Sequence, residues 1–282
     1  MAIIGSLPAS LARRLGELSG LAVMAFDRGR RRMVLRHGSR LGFSGRELYR
    51  YRRQVFAGYG RYWSEALWIR PRRRSFIEAK TTSEGLDLVR EAMAEGRGTI
   101  FALPHIGNWE FAGPVGYELG LELWAVAENL PNAKIRNWFI ALRNQLDIGI
   151  ILATTGGAVM RRLEEVIERN GSVALLCDRD LKRKGVPVEF FGEETTLPAG
   201  PVSLSMRTGA PVFPAAAYFT PDGGHHVVVR PRLEFSQHDG RAATIQAGTQ
   251  ELAHALERLI KDAPGQWHLL QPNWPSDFEA PG

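Results

Sequence analysis

Cysteine is almost absent from the 282-residue sequence, which contains only Cys177. A single thiol excludes an intramolecular disulfide framework and is a poor start for a zinc site, so we expect a protein of a reducing compartment with no bound metal.

Long apolar runs are also missing. The longest one near the start, residues 21–26, is far shorter than the roughly 20 residues that span a bilayer, and no signal peptide is recognisable. Membrane contact is therefore expected to be peripheral.

Acidic residues are scarce in one part of the chain. Residues 1–80 contain 18 arginines and lysines but only 5 acidic residues, whereas residues 81–282 contain 18 and 25. The basic clusters at residues 28–32, 50–53 and 72–74 favour phosphate groups, either of nucleic acid or of anionic lipid. No nucleic-acid recognition motif accompanies them, so we expect an anionic membrane surface as the partner and no nucleic acid.

The composition, with 44% hydrophobic and 23% charged residues, is that of a globular protein. We expect one domain over residues 1–282, in which a basic helical region, residues 1–80, precedes a catalytic core, residues 81–282. Apolar residues recur at helical spacing over residues 7–26, and aromatic residues alternate with arginines over residues 47–69. Such segments suit a bilayer interface, but packing on the body of the protein explains the same pattern.

Short apolar runs alternate with helical patterns in the catalytic core. This alternation predicts an α/β fold with a central, largely parallel sheet flanked by helices. The predicted strands cover residues 99–103, 121–127, 148–152, 172–177, 186–191, 211–219 and 227–235. The predicted helices cover residues 83–93, 132–146, 158–169, 198–206 and 244–260, and one more opens at Asn108, a candidate N-cap.

The first of these strands is followed at once by Pro104-His-Ile-Gly-Asn-Trp-Glu110. Ligands of open α/β sheets bind beyond the carboxyl ends of the strands, which is where His105 and Glu110 stand. A neutral imidazole accepts a proton near pH 7, and a neighbouring carboxylate can orient it. A hydrogen bond from His105 that merely caps the turn explains this residue equally well. The spacing alone does not decide between a general base and a turn cap.

The motif His-Ile-Gly-Asn-Trp-Glu resembles the His-x4-Asp/Glu motif of glycerolipid-type acyltransferases. Its specific form is similar to the branch that contains the lipid A biosynthesis late acyltransferases and the phosphatidylinositol mannoside acyltransferases. The similarity spans about residues 86–275 and includes Glu128, Arg143, Cys177-Asp-Arg-Asp180, Phe190-Phe-Gly192 and Leu197-Pro-Ala-Gly-Pro201. The run Val188-Glu-Phe-Phe-Gly-Glu193 looks closer to the mannoside branch.

The resemblance implies an acyl-CoA-dependent O-acyltransferase that needs no cofactor. The donor would be a palmitoyl-type acyl-CoA. In the mannoside branch the acceptor would be the 6-hydroxyl of a mannose on phosphatidylinositol mannoside, at the cytoplasmic face of the plasma membrane. His105 would be the general base, and backbone amides of its turn would donate hydrogen bonds to the oxyanion. A lipid A precursor or another glycolipid is the alternative acceptor, and a non-enzymatic lipid or nucleic-acid binding protein is the alternative of another class.

The acidic residues around the motif have alternative tasks. Glu110 either orients His105 or points away and binds an arginine, in which case Asp178, Asp180 or Glu128 would orient the imidazole. We assign Asp178 to catalysis together with His105 and Glu110, and Asp180 to substrate binding. Capping of their own loop is the alternative for both aspartates.

The basic residues of the predicted site are assigned to substrate binding. Arg143 is expected to pair with Glu128 beside the substrate, with a surface ion pair as the alternative. Arg179, Lys182 and Arg183 belong to a basic loop that would bind the phosphates of CoA, and a solvated run of charges is the alternative.

Overall fold

The computed structural model describes residues 4–70, 73–153, 157–180, 182–236 and 238–278. Arg72, a member of one predicted basic cluster, lies outside these residues. Within them the chain forms ten α-helices and nine strands. The helices are α1 (Ala9–Phe26), α2 (Arg28–Arg40), α3 (Gly45–Trp68), α4 (Arg74–Ala79), α5 (Leu86–Ala94), α6 (Ala112–Glu118), α7 (Ala133–Asn144), α8 (Ala158–Glu168), α9 (Gly200–Thr208) and α10 (Arg241–Asp262). The strands are β1 (Thr81–Glu84), β2 (Thr99–Leu103), β3 (Leu123–Ala127), β4 (Ile148–Leu152), β5 (Ser172–Leu176), β6 (Val186–Phe190), β7 (Glu193–Leu197), β8 (Val212–Phe219) and β9 (His225–Val229).

Seven of these strands form one sheet in the order β1-β9-β8-β2-β5-β3-β4. All neighbouring strands in it are parallel except β8 and β9, which are antiparallel. The strands β6 and β7 form a separate antiparallel hairpin. The prediction of a largely parallel sheet is therefore confirmed. Its central strand β2 is buried along its whole length, as expected of a parallel strand that is covered on both faces.

Helices cover both faces of the sheet because side chains alternate along each strand. Ile100 and Ala102 of β2 point to one face, where they pack with residues of α8, α9 and α10. Phe101 and Leu103 point to the other face, where they pack with residues of α5 and α7. Helix α3 joins this second layer through Trp68, so the N-terminal helical region packs directly on the sheet domain.

Some predicted boundaries are wrong for identifiable reasons. Residues 83 and 84 of a predicted helix belong to β1, and α5 begins only at Leu86 because Gly85 has a φ of 79°, outside the right-handed helical region. The strand predicted over residues 227–235 is β9 and ends at Val229, shortly before Pro231, which cannot donate a ladder hydrogen bond. The sequence patterns also do not predict α2, α4, β1 and β7.

Helix α1 packs against α3 through small residues. Gly16 and Gly20 of α1 face Gly60 and Ser64 of α3 so closely that a Cβ atom on any of the three glycines would collide with the opposite helix. Most of the larger apolar residues of α1 lie at the surface, although Leu21 and Met24 are half-buried. The exposed ones are Leu11, Leu15, Leu18, Val23 and Phe26, which are between 36% and 87% exposed. In the described part of the chain, no helix is both long and apolar enough to cross a membrane.

Candidate active site

The site is built at the carboxyl ends of two adjacent strands. β2 and β5 are parallel neighbours with Leu103 opposite Leu176, so the residues that follow the two strands reach the same edge of the sheet. There His105 Nδ1 lies 2.6 Å from Asp178 Oδ1. The backbone N–H of His105 donates to the other carboxylate oxygen, Oδ2, at 3.0 Å. The carboxylate that contacts His105 is therefore Asp178.

Asp178 is fully buried and held by several donors. Trp267 Nε1 donates to its Oδ2 at 2.8 Å, and the amide of Asn273 donates to its backbone carbonyl at 3.1 Å. Burial alone would raise the pKa of Asp178, but the charge and hydrogen bonds of His105 and the indole of Trp267 lower it below its ordinary value. An ionised carboxylate only accepts, so Nδ1 of His105 carries a proton; in a neutral imidazole the lone pair is then on Nε2. The His105 side chain is 24% exposed.

Glu110, the second member of the motif, binds an arginine instead of the imidazole. Its carboxylate is buried and accepts from Arg143 Nη2 at 3.0 Å and from Arg143 Nε at 3.2 Å. Tyr62 Oη also donates to it, at 3.4 Å. Burial alone would lower the pKa of Arg143, but the adjacent Glu110 raises it above its ordinary value. This arrangement is the alternative in which the motif glutamate points to an arginine and an aspartate orients His105.

The expected pair between Glu128 and Arg143 is wrong. Arg143 stands near the end of α7 and reaches inward to Glu110, because that buried carboxylate needs a cation. Glu128 follows the last residue of β3 and is exposed. Substrate binding by Glu128 and Arg143 stays a prediction.

Asp180 caps its own loop. Its carboxylate accepts from the backbone N–H groups of Gly185 at 2.6 Å and Lys182 at 3.2 Å, and from Thr196 Oγ1 at 2.9 Å. The loop-capping alternative therefore describes the contacts of Asp180. Its assignment to substrate binding stays a prediction.

The basic residues of the same loop follow the carboxyl end of β5. Arg179 Nη1 donates to Gln271 Oε1 at 3.1 Å, while Lys182 and Arg183 are exposed. The guanidinium of Arg183 lies 4.2 Å from the ring centre of Phe278. Their predicted contact with CoA phosphates is neither supported nor opposed by these interactions.

The turn after His105 is tightly fixed. Asn108 Oδ1 accepts from the backbone N–H of Glu110 at 3.3 Å, which confirms Asn108 as an N-cap, although the helix opens with a short 3-10 turn, Trp109–Phe111, before α6. Gly107 has a φ of 58°, and a Cβ atom there would collide with the carbonyl of Ala217. Only glycine fits this close approach.

The four backbone amides of residues 105–108 are not available as oxyanion donors, and the expectation that other amides of the turn supply one stays a prediction. All four N–H groups of residues 105–108 already donate hydrogen bonds, because the turn is anchored to its neighbours. The acceptors are Asp178 Oδ2 and the carbonyl oxygens of Pro104, Gln266 and Ala217.

The sequence patterns assign no role to two tryptophans that lie near His105 and Asp178. Trp267 is 89 residues from Asp178 in sequence, and only the fold brings its indole to that carboxylate. Trp109 lies within the motif, with its ring centre 5.5 Å from that of His105 and 4.5 Å from that of Tyr62. Its Nε1 is buried and has no hydrogen-bond partner among the described residues.

Cys177 is not suited to act as a nucleophile. Its thiol is buried and donates to the backbone carbonyl of Leu175. Burial and the neighbouring charge of Asp178 raise its pKa, so the reactive thiolate is disfavoured.

Two cavities differ in their relation to His105. A wholly apolar cavity of about 50 Å³ lies between the sheet and α5 and α6, with Phe101, Leu103 and Ala112 in its wall. A larger cavity, about 940 Å³, is lined by Arg97 and other residues at the opposite end of the strands, since Arg97 precedes β2 and His105 follows it. Of these two cavities, the apolar one has in its wall Leu103, the last residue of the strand that precedes His105.

A histidine paired with a buried aspartate thus stands at the carboxyl ends of two parallel strands, within a His-x4-Glu motif. The model of the family described as bacterial lipid A biosynthesis acyltransferase matches residues 1–276. The chain belongs to this family.

Individual relatives are similar over most of their length. The phosphatidylinositol mannoside acyltransferase of Mycolicibacterium smegmatis is 36% identical over 228 residues, which cover 80% of this chain and 73% of that protein. The protein of the same description from Mycobacterium tuberculosis H37Rv is 35% identical over 224 residues, covering 78% of this chain and 69% of that protein.

Proposed function

We propose that this protein transfers a palmitoyl-type acyl group from acyl-CoA to the 6-hydroxyl of a mannose on phosphatidylinositol mannoside. The observation that carries the proposal is the contact of 2.6 Å between His105 and the buried Asp178 at the edge of the sheet. The acceptor is suggested by the relatives, which are described as phosphatidylinositol mannoside acyltransferases.

In the proposed reaction His105 Nε2 accepts the proton of the acceptor hydroxyl while its oxygen attacks the thioester carbonyl carbon. The tetrahedral intermediate then collapses, the bond between carbon and sulfur breaks, and the CoA thiolate takes the proton from the imidazolium. Asp178 orients the ring and stabilises the imidazolium that exists between these two steps. No covalent acyl-enzyme and no cofactor are needed.

The oxyanion of the intermediate needs a hydrogen-bond donor, and we assign Trp109 Nε1 to this task. The amides of residues 105–108 are engaged in the turn. The indole N–H of Trp109 has no hydrogen-bond partner among the described residues, and its ring packs against the ring of His105. A fixed donor in a site with little water is worth far more than in solution.

The remaining polar residues divide between positioning and binding. Glu110 and Arg143 form a buried ion pair that holds the start of α6 against α7. The exposed cations Lys182 and Arg183, with Arg179 behind them, are suited to the phosphates of CoA. The apolar cavity next to Leu103 has the chemistry of an acyl-chain site, and it would have to widen because about 50 Å³ holds only a few carbon atoms.

We further propose that the protein binds peripherally to the cytoplasmic face of the plasma membrane. The exposed apolar residues of α1, among them Leu18 and Phe26, would enter the interface. The arginines that follow them in α2 and α3, such as Arg32 and Arg53, are exposed and would attract anionic headgroups.

A panel of acceptors tests this proposal. Purified protein is incubated with radiolabelled palmitoyl-CoA and, in separate reactions, phosphatidylinositol mannoside, phosphatidylinositol and a lipid A precursor. The proposal expects labelled product with the mannoside alone. Labelling of the lipid A precursor would support the second candidate, which the family description favours. Absence of acyl transfer to every acceptor would contradict an enzymatic function and leave a lipid-binding one.

A further inference from the structure

Helix α3 carries a buried carboxylate that the proposed reaction does not use. Glu65 is only 4% exposed, and three donors from different parts of the fold bind it. They are Arg61 Nε at 2.7 Å, Asn108 Nδ2 at 2.9 Å and His225 Nε2 at 3.0 Å. Helix α3, the turn after β2 and the first residue of β9 therefore meet at this one carboxylate.

These donors keep Glu65 ionised. Burial alone would raise the pKa of Glu65, but the charge and hydrogen bond of His225, together with Arg61 and Asn108, lower it below its ordinary value. A buried charge is tolerated only where it is paired and hydrogen-bonded. The position of each donor is consequently tied to the positions of the other two.

Glu65 determines which end of the Asn108 amide faces the catalytic turn. A carboxylate only accepts hydrogen bonds, so the amide nitrogen of Asn108 must face Glu65. The amide oxygen is thereby turned to the backbone N–H of Glu110, which donates to it at 3.3 Å. Asn108 stands three residues after His105 and two before Glu110, so the orientation of one amide fixes the segment that carries both.

The same helix contacts the turn at a second point. Tyr62, one helical turn before Glu65, donates to Glu110 at 3.4 Å, and its ring packs against that of Trp109. Two side chains of α3 thus hold the turn from one side. The sheet holds it from the other side through the bond from the Asn108 N–H to Ala217.

We infer that Glu65 is a positioning residue for acyl transfer: it orients the Asn108 amide and thereby sets the place of His105 relative to the substrate. The inference rests on the proposed function. It also makes α3 a structural part of the active site, in addition to its place in the N-terminal helical region.

The Glu65→Gln variant of the full chain tests the inference. A glutamine can present its own N–H₂ group to Asn108, so the amide of Asn108 is no longer held in one orientation. Misplacement of a catalytic group by about 1 Å costs up to roughly 100-fold in rate, and we expect kcat to fall roughly 10- to 100-fold. KM should change less than about twofold, because Glu65 contacts no substrate.

A double-mutant cycle separates positioning from general stability. If Glu65 acts through Asn108, the double variant with Asn108→Ala loses no more kcat than the worse of the two single variants. Glu257→Gln is the matched control. This carboxylate also crosses between elements, accepting from the backbone N–H of Phe191 at 2.6 Å, but it does not touch the turn. Its kcat should stay within about twofold of the wild type.

A folded Glu65→Gln variant with unchanged kcat would overturn the inference, as would losses that multiply independently in the cycle. If Glu65→Gln does not fold, Glu65→Asp replaces it, since this change keeps the charge but withdraws the carboxylate by one methylene group.

A second measurement does not depend on turnover. The proton in the short bond between His105 Nδ1 and Asp178 should give a downfield NMR resonance in the wild type. We expect this resonance to shift or disappear in Glu65→Gln and to persist in Glu257→Gln, and its persistence in both would contradict the inference. If the wild type acylates no acceptor, the proposed function fails, whereas this resonance still tests the role of Glu65.

Discussion

The proposed reactivity of His105 depends on the carboxylate behind it. Asp178 fixes the proton of the imidazole on Nδ1, so Nε2 is available to the substrate, and it compensates the positive charge that forms when Nε2 takes up a proton. The second motif residue, Glu110, has a different task, because its charge is already neutralised by Arg143.

Replacement of the orienting carboxylate is the first prediction at this scale. Asp178→Asn can turn its amide N–H₂ group to His105, which favours the tautomer with the proton on Nε2 and removes the general base. We expect kcat to fall on the order of 10³-fold or more, by analogy with the same change in other histidine–aspartate pairs. Steady-state kinetics with Asp239→Asn, a change at an exposed aspartate, provides the comparison. A loss below about tenfold would show that Asp178 does not orient the base.

The assigned oxyanion donor gives a second prediction. Trp109→Phe removes the indole N–H but keeps an aromatic ring between Tyr62 and His105. Loss of one oxyanion donor typically costs about 10²- to 10³-fold in kcat, and we expect a loss in this range with little change in KM. Trp124→Phe is the control, since its indole donates only to Glu122 at the surface. Equal kcat values for the two variants would contradict the assignment.

Two buried histidines predict how stability changes with pH. Burial lowers the pKa of His37 to about 4 and that of His268 to about 3. In the unfolded chain these histidines have a pKa of about 6.5 and bind protons below that pH, whereas in the folded chain they stay unprotonated. The free energy of unfolding therefore decreases as the pH falls below about 6.5. Each histidine should cost roughly 1 kcal/mol by pH 5.5.

The lowered pKa values of Asp178 and Glu65 act in the same direction at lower pH. Their contribution is complete only well above the unfolded-state pKa values of about 4, and it is lost as the pH falls from about 5 through the folded-state values. Urea unfolding at pH 7.0, 5.5 and 4.5 measures the loss of stability that the two buried histidines cause. Equal free energies of unfolding at pH 7.0 and 5.5 would contradict it.

At the scale of the elements, helix α1 is turned with its small side towards the protein. Glycines at positions 16 and 20 let it approach α3, and most of its bulky apolar residues face outward. A monomeric protein rarely exposes such a contiguous apolar face without a partner for it. The proposed membrane contact would remove this apolar face of α1 from water.

The orientation of α1 leads to a binding prediction. The double change Leu18→Glu and Phe26→Glu adds two negative charges to the exposed face and should abolish flotation with anionic liposomes, while the melting temperature changes little because both residues are exposed. Tyr117→Glu, a change at a comparably exposed aromatic residue of α6, is the control and should still float. Binding of the wild type should weaken as salt rises. Undiminished flotation of the double variant would show that α1 does not contact the membrane.

The elements that the sequence predicts well are those whose pattern reflects burial. β2 and β4 agree with their predicted bounds because each is a short apolar run. The strands β1 and β7 are polar, Thr-Thr-Ser-Glu and Glu-Glu-Thr-Thr-Leu, and depend on their partner strands. Helix α2 is rich in arginine and has too few apolar residues for a periodic pattern.

The candidate site is predictable only in part for a related reason. His105, Glu110 and Asp178 are recognisable from their motif and from their position after apolar strands. The pairing of His105 with Asp178 follows from the order of β2 and β5 in the sheet, which no local pattern encodes. Trp267 and Glu65 reach the site from distant parts of the chain.

At the scale of the whole molecule, one end of the sheet carries everything that the proposed reaction needs. The histidine–aspartate pair stands at the ends of β2 and β5, Leu103 at the end of β2 contributes to the apolar cavity, and the basic loop with Arg183 follows β5. Helix α3 connects the N-terminal helices to this end through Tyr62 and Glu65. In the proposed function, a thioester donor and a membrane glycolipid therefore react beside one general base, His105.

Acyl transfer by the His105→Ala variant tests that central claim most directly. The measurement is transfer from radiolabelled palmitoyl-CoA to phosphatidylinositol mannoside, with His254→Ala, a change at an exposed histidine of α10, as the control. We predict that His105→Ala keeps the fold, as judged by circular dichroism, but loses transfer by at least about 10³-fold, while the control retains it. Retained turnover in a folded His105→Ala variant would contradict the account.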